Sequence, residues 1–211
     1  MTFHSETLIT EVLDTLSREL SPKLRYHCVE HTKEVLSETV LFARHDRLEA
    51  HNIELLSIAA AYHDAGYLER YPDNEVIGAA MAAKAMRSNG AYAEADIAEV
   101  EKMIMSTTFI QASRRVCHSP LSAYLMDADW GVFGREDFFE KCEQLIEETA
   151  AKSEVFYRQS LDLVTNHVWL TPAAHELREA KKQRNIETLK EQLTSPPCEA
   201  LKEGWPRSKK K

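Results

Sequence analysis

Apolar residues recur in this chain at the three- and four-residue spacing of an α-helix, and residues that break helices are scarce. The first such segment carries its apolar side chains at Leu8, Ile9, Val12, Leu13 and Leu16. Only six glycines occur in 211 residues, whereas Ala, Leu, Glu and Lys, which favour helices over strands, are abundant. We therefore predict an all-α fold.

The pattern divides into eight predicted helices within one domain. They cover about 5–20, 26–48, 53–64, 75–89, 94–107, 120–130, 136–169 and 172–193. Ser5 and Asn52 are the predicted N-caps of the first and third helices. The third is apolar on nearly every side, which predicts that it is buried. No repeat or linker interrupts residues 1–194, so we predict a single-domain helical bundle there, followed by a flexible tail at 195–211.

The charge balance limits the classes of partner. A formal net charge of −8 argues against nonspecific binding to nucleic acid or to an anionic membrane surface. No apolar run is long enough to span a bilayer, and the N-terminal residues lack the pattern of a signal peptide. The four cysteines form no CxxC pair, which favours reduced thiols and a cytoplasmic location. We expect a small-molecule partner, and the sequence leaves a homo-oligomer open.

One apolar helix, SIAAAY, runs straight into His63 and Asp64. Burying an ionised aspartate costs several kcal/mol unless a partner compensates its charge. The pair therefore lies either at an exposed helix end or in a metal site. The same dipeptide at His45-Asp46 lies among charged residues, and we interpret it as solvated surface.

Two further stretches place ionisable residues where an apolar face is expected. His27 and His31 in YHCVEH are four residues apart and share one face of a helix. Asp127 and Asp129 interrupt the apolar segment AYLMDADW. A shared metal site would account for all three irregularities. Imidazole and carboxylate ligands suit Mn, Fe, Co, Ni or Zn better than Mg.

The order of these residues on a helical chain resembles the HD-domain superfamily of metal-dependent phosphohydrolases. The resemblance covers about residues 24–132, followed by helices at about 136–194. It is carried by HTKEV, by the His-Asp pair after an apolar helix, and by DADW; YHCVEH, DNE and DADWGVFG resemble one subgroup. It implies an HD-type bundle with four metal ligands at His31, His63, Asp64 and Asp129.

The same resemblance implies a proton donor. In cyclic nucleotide phosphodiesterases of this superfamily, the first histidine of a YHNxxH motif protonates the leaving group, and His27 matches that position. Cys28 stands where asparagine is usual. Many two-metal members add two histidines, but Asn74 and Thr107 occupy those positions here. We therefore predict one divalent metal ion per chain. His118 is interpreted as a loop residue before Pro120.

These observations predict hydrolysis of a phosphate mono- or diester of a nucleotide or related small metabolite by metal-activated water. In this scheme His27 is the general acid and Asp64 both ligates the metal and orients water. Glu75 is either a second base or a first-turn glutamate favoured by the helix dipole. Asp127 is expected to orient a ligand histidine. The alternative is an HD-type domain that binds a nucleotide or partner without turnover and holds a structural metal.

Two further functional classes fit the sequence less well. An HD-type enzyme of non-phosphate chemistry would need the missing histidines, and a helical protein without a site would leave the three polar intrusions unaccounted for. Several remaining residues are interpreted as structural or surface groups. These are Arg25, Lys84, Arg87, His167, His175 and the aromatic residues Trp130, Phe133, Phe138 and Phe139.

Overall fold

The computed structural model describes residues 3–109 and 116–194, and the predicted tail at 195–211 lies outside this part of the chain. Helices account for all the regular structure of the described residues, which confirms the all-α prediction. The α-helices are α1 (Phe3–Glu19), α2 (Val29–His45), α3 (Ala50–Tyr62), α4 (Asn74–Asn89), α5 (Glu94–Met105), α6 (Ser122–Asp129), α7 (Phe138–Thr149), α8 (Ser153–Asn166) and α9 (Pro172–Thr194). Two 3-10 turns lie at Ala65–Leu68 and Gly131–Gly134.

Helix α3 forms the centre of the bundle, as its apolar sequence predicts. It contacts α1, α2, α4, α5 and α6. Leu56 and Ile58 are completely buried, and burial of such a side chain is worth about 1.5–3 kcal/mol. Because α3 is buried in this way, its end places His63 and Asp64 in the interior of the bundle.

None of the described helices is both long and apolar enough to cross a membrane.

Close backbone packing holds the chain around this end of α3. A Cβ atom at Gly66, in the first 3-10 turn, would lie 1.9 Å from the carbonyl oxygen of Asn74. A Cβ atom at Gly78 in α4 would lie 2.5 Å from the carbonyl oxygen of Tyr62. Because only glycine allows these two approaches, the turn and α4 lie directly against the end of α3.

The structure changes three predicted helix boundaries. Helix α2 begins at Val29 rather than near residue 26, because Cys28 is extended and the two preceding amides bind a side chain of α7. Helix α3 begins at Ala50, with Glu49 as its N-cap, so Asn52 lies inside the helix. The predicted cap Ser5 lies buried within α1, which begins at Phe3.

The long helix predicted at 136–169 is wrong, because the chain breaks there into α7 and α8. Ala150 adopts a left-handed conformation with φ of 52° and ends α7. The amide of Ala151 then donates to the carbonyl of Ile146 at 3.3 Å, which closes the final turn. The break allows the last turn of α7 to face the start of α2.

Candidate metal centre

His63 and Asp64 lie at the buried end of α3. The side chain of His63 is 1% exposed and that of Asp64 is 12% exposed, so the pair does not form an open helix end. The Nδ1 atom of His63 lies 2.8 Å from the carbonyl oxygen of Ala60. A carbonyl only accepts, so Nδ1 carries the proton and donates it, which leaves Nε2 for a ligand.

The structure brings two further predicted ligands to this point. Nε2 of His31, from α2, lies 3.5 Å from Oδ2 of Asp64 and 3.3 Å from Oδ1 of Asp129. Nε2 of His63 lies 3.2 Å from that Asp64 oxygen and 3.7 Å from that Asp129 oxygen. Ligand atoms of His31, His63 and Asp129 all lie within 4.8 Å of one another. Asp64 adjoins this trio through the two histidines.

Whether a metal ion fits among the four predicted ligands can be judged from the polar atoms left unpaired at their centre. Nε2 of His31, Nε2 of His63 and Oδ2 of Asp64 are buried and have no hydrogen-bond partner among the described residues. Leaving a buried polar group unpaired costs about 1–3 kcal/mol. Two imidazole nitrogens and two carboxylates are a donor set that suits a divalent transition metal. The residues present therefore fit such an ion.

Burial and charge act in opposite directions on the pKa values of these groups. Burial lowers the pKa of His31. Burial also disfavours the charged form of His63, but Asp64 outweighs this effect and raises its pKa to about 9. Burial raises the pKa of Asp64, yet the His63 charge lowers it further, so the net shift is downwards. Because Nδ1 of His63 already carries a proton, the second proton that its raised pKa favours would be on Nε2, and a divalent cation would take the place of that proton.

Asn74 and Thr107, the two positions where the resemblance would place histidines, both donate hydrogen bonds within the chain. Nδ2 of Asn74 donates to Oδ1 of Asp64 at 3.2 Å. This bond fixes the carboxylate with its other oxygen towards the two histidines. The Thr107 hydroxyl donates to the carbonyl of Ile104 at 2.8 Å and so stabilises the end of α5.

A buried glutamate that the sequence analysis missed holds His27. Oε1 of Glu148, in the last turn of α7, lies 2.5 Å from Nδ1 of His27. Oε2 accepts from the backbone amides of Tyr26 and His27 at 2.8 and 3.1 Å. The Glu148 side chain is only 2% exposed. Its carboxylate therefore fixes both the ring of His27 and the backbone that carries it.

The Glu148 carboxylate also sets the protonation of His27. Burial lowers the pKa of His27, but the hydrogen bond that Nδ1 donates to Glu148 and the charges of Asp64, Glu148 and Asp129 together raise it above its usual value. The pKa of Glu148 is lowered: burial works against this, and the bond with His27 outweighs it. The raised pKa favours the cationic form of His27, in which Nδ1 is bound to Glu148 and Nε2 carries the other proton.

Tyrosines and a carboxyl complete the surroundings. The ring of Tyr67 lies 4.7 Å from that of His27, and the Tyr71 hydroxyl donates to Oε1 of Glu148 at 3.3 Å. Sequence spacing gave no signal for either tyrosine. Glu75 lies in the first turn of α4, and burial followed by the charges of Asp64 and Asp129 raises the pKa of its carboxyl. The negative charges of Asp64 and Asp129 thus act on the Glu75 carboxyl.

The hydrogen bonds described for Asp127 lead to the start of α9, and its orientation of a ligand histidine stays a prediction. Asp127 is completely buried. Its carboxylate accepts from the amide of Leu170 at 2.9 Å and from the amide and hydroxyl of Thr171 at 2.8 and 2.9 Å. These residues precede α9. Asp127 therefore anchors the start of α9, where a negative charge also suits the helix dipole.

We expect Asp127→Ala to destabilise the fold without removing metal. The substitution leaves buried donors of Leu170 and Thr171 unpaired, and the expected loss in free energy of unfolding is about 2–4 kcal/mol. Urea denaturation measures this loss, and elemental analysis of the folded fraction measures the metal. A variant of unchanged stability that lost its metal would instead make Asp127 a ligand.

The remaining histidines serve structure or face solvent. His45 is partly exposed, but Asp46 accepts from the Tyr124 hydroxyl and the Ala173 amide, both at 3.2 Å. The second His-Asp pair is therefore more than solvated surface, since Asp46 links α6 to α9. His167 is buried and its ring is stacked on Trp130 at 5.6 Å. Arg25, Lys84 and Arg87, predicted to lie at the surface, are exposed, as is the predicted loop residue His118. His175, interpreted from the sequence as structural, is exposed as well.

No family model, no curated protein and no solved structure matches this chain. The case for a function therefore rests on the geometry of the centre and on the motifs that lead to it.

Proposed function

We propose that the chain is a metal-dependent phosphohydrolase of the HD-domain type that cleaves a phosphate ester of a small metabolite. One observation carries this proposal. Imidazole and carboxylate groups from three helices converge, and three of their buried atoms lack a hydrogen-bond partner among the described residues. Such an arrangement is costly unless a cation completes it.

The ligand roles follow from these contacts. His31, His63, Asp64 and Asp129 would hold one divalent ion of Mn, Fe, Co, Ni or Zn. When bound, such an ion stabilises charge on phosphoryl oxygens and acidifies water. Asn74 holds Asp64 in the orientation that faces the histidines. Because Asn74 stands where a second-metal histidine would be, the proposal includes one metal rather than two.

The chain supplies the proton that hydrolysis requires. Water attacks phosphorus, the bond to the leaving oxygen breaks, and Nε2 of His27 gives this oxygen its proton. Glu148 favours the cationic form of His27 before the transfer, because its carboxylate lies 2.5 Å from Nδ1 and raises the pKa of the imidazole. General acid catalysis of this kind is typically worth about 10²–10⁴-fold in rate. In this proposal Glu75 accepts a proton from water and Asp64 orients that water.

The alternative function is binding of a nucleotide or protein partner around a structural metal. The support for a catalytic role is the pair of His27 and Glu148. A buried carboxylate that binds two backbone amides and one imidazole orders a group outside the ligand set. A site that only holds a metal has no need of that order.

The proposal is tested by hydrolysis with defined metals. Metal-free protein is reloaded with Mn²⁺, Fe²⁺, Co²⁺, Ni²⁺ or Zn²⁺ and assayed on p-nitrophenyl phosphate and on bis-p-nitrophenyl phosphate. We expect turnover with at least one ion and loss of turnover after chelation. Asp129→Asn, which keeps the shape but removes the charge, serves as the inactive comparison. Absence of turnover on both esters with all five ions would contradict the proposal.

A further inference from the structure

A cavity of about 650 Å³ lies between Tyr26, the second 3-10 turn, α7 and α8. It lies outside the ligand set and outside the contacts of His27 with Glu148. Its size falls within the range of small-molecule sites in proteins, which is about 300–1,000 Å³. The cavity is therefore large enough for a ligand group rather than for a few water molecules.

The wall of the cavity is mainly hydrocarbon. Its apolar lining residues include Tyr26, Phe133, Phe138, Leu145, Phe156 and Leu163. Burial raises the pKa of the neighbouring Cys142 thiol, so this residue also lines the cavity as a neutral group.

The charged residues of the wall are already paired within the chain. Nζ of Lys141 lies 2.8 Å from Oε1 of Glu34, and Nη2 of Arg158 lies 3.0 Å from Oε1 of Glu154. Oδ1 of Asp162 accepts a hydrogen bond from the side-chain amide of Asn166 at 3.0 Å. A ligand group in the cavity would therefore meet carbon atoms more than open charges.

Tyr26 connects this cavity to the candidate metal centre. Its ring lines the cavity and lies 4.6 Å from the ring of His31, measured between centroids. Its amide binds the Glu148 carboxylate that also holds His27. Tyr26 thus lines the cavity and also contacts both His31, a proposed metal ligand, and Glu148, which binds His27.

We infer that the cavity binds the apolar alkyl or aryl part of the alcohol that leaves during phosphate ester hydrolysis. The inference rests on the proposed function and names its substrate class: a phosphate ester of an apolar alcohol rather than a nucleotide. A nucleobase carries donors and acceptors along its edge, and burying them without partners is costly. A hydrocarbon group gains free energy from the same wall.

The first experiment measures binding without turnover. Anilinonaphthalene sulfonate is bound to metal-free protein, and ethanol, butanol, hexanol and octanol are compared as competitors by fluorescence. We expect affinity to rise about two- to fourfold for each added methylene. The second experiment measures kcat/KM for ethyl, butyl, hexyl and octyl phosphate and for adenosine monophosphate with the active metal. We expect the same rise with chain length and poor turnover of the nucleotide.

Variants that fill the cavity supply the matched comparison. Leu163→Trp adds bulk to its wall, and Gln159→Trp adds bulk at an exposed lining position where folding is less at risk. Val155→Trp is the control, because Val155 is 50% exposed on the same helix and is not part of the wall. We expect both filling variants to lose the chain-length dependence while ethyl phosphate is still hydrolysed, and the control to behave as the wild type.

The outcomes separate this inference from the proposed function. Hydrolysis of every ester at a rate independent of chain length would overturn the inference alone, as would filling variants that retain the full dependence. Faster hydrolysis of adenosine monophosphate than of octyl phosphate would also overturn it. A last outcome is that no ester is hydrolysed, while octanol binds to the wild type and not to the filling variants. It would contradict the proposed function and the leaving-group role, and it would show only that the cavity binds hydrocarbon.

Discussion

We expect the wild-type protein to bind about one metal atom per chain and the His63→Ala variant to lose it. Nδ1 of His63 is anchored on the carbonyl of Ala60 and Nε2 faces the other proposed ligands, so the substitution removes a preorganised donor. Loss of a residue that merely supports a ligand weakens metal affinity by about 10–100-fold. We expect loss of a ligand to exceed that range and to abolish turnover. Elemental analysis and titration with Zn²⁺ measure the effect.

The chain contains its own control for this experiment. His45 is also followed by aspartate, but it is partly exposed and lies outside the cluster at the end of α3. We expect His45→Ala to retain metal and activity. Asp129→Asn provides a second test with little change of volume, and it should lose metal in the same way. Full metal content in His63→Ala and Asp129→Asn, or its loss in His45→Ala, would refute the assignment of ligands.

The convergence of the predicted ligands could be anticipated because each belongs to a helix with an unambiguous apolar pattern. Helix α3 is buried from Glu54 to Tyr62, and its apolar sequence favoured a buried end for His63 and Asp64 without excluding an exposed one. The different roles of Asp127 and Asp129 could also have been deduced. Residues two apart on a helix point to opposite sides, so only one of the two could face His31. The structure places Asp129 there and Asp127 at the start of α9.

Glu148 could not be predicted, because the break that places it has no glycine or proline. Ala150 takes the left-handed conformation that glycine usually fills at the end of a helix. A continuous helix over 136–169 would have been far longer than the usual three to four turns, and that length was the only warning. The contact of Glu148 with His27 joins residues 121 positions apart, and local sequence carries no record of such a pairing.

The second large effect is expected for His27→Ala, which should keep its metal but lose turnover on esters with poor leaving groups. An alkoxide must be protonated as it leaves, whereas p-nitrophenolate leaves readily without a proton. We therefore expect kcat to fall by about 10²–10⁴-fold on an alkyl phosphate and much less on p-nitrophenyl phosphate. Steady-state kinetics on the two esters with the same metal measure the difference. Equal losses on both substrates would exclude the role of proton donor.

The Glu148→Gln variant tests whether the glutamate acts through His27. An amide keeps the size of the side chain, but it cannot accept hydrogen bonds with both of its terminal atoms, so either the His27 contact or the backbone contacts must weaken. We expect the turnover of Glu148→Gln to fall less than that of His27→Ala, and again more on esters with poor leaving groups. The fall should appear in kcat rather than in KM. Glu147→Gln is the matched control, because Glu147 is adjacent in sequence and its side chain is 60% exposed. Its Oε2 atom lies 3.4 Å from Nε of Arg25. If Glu148→Gln lowers both esters equally while the control is unaffected, Glu148 supports the fold of this region and does not position the proton donor.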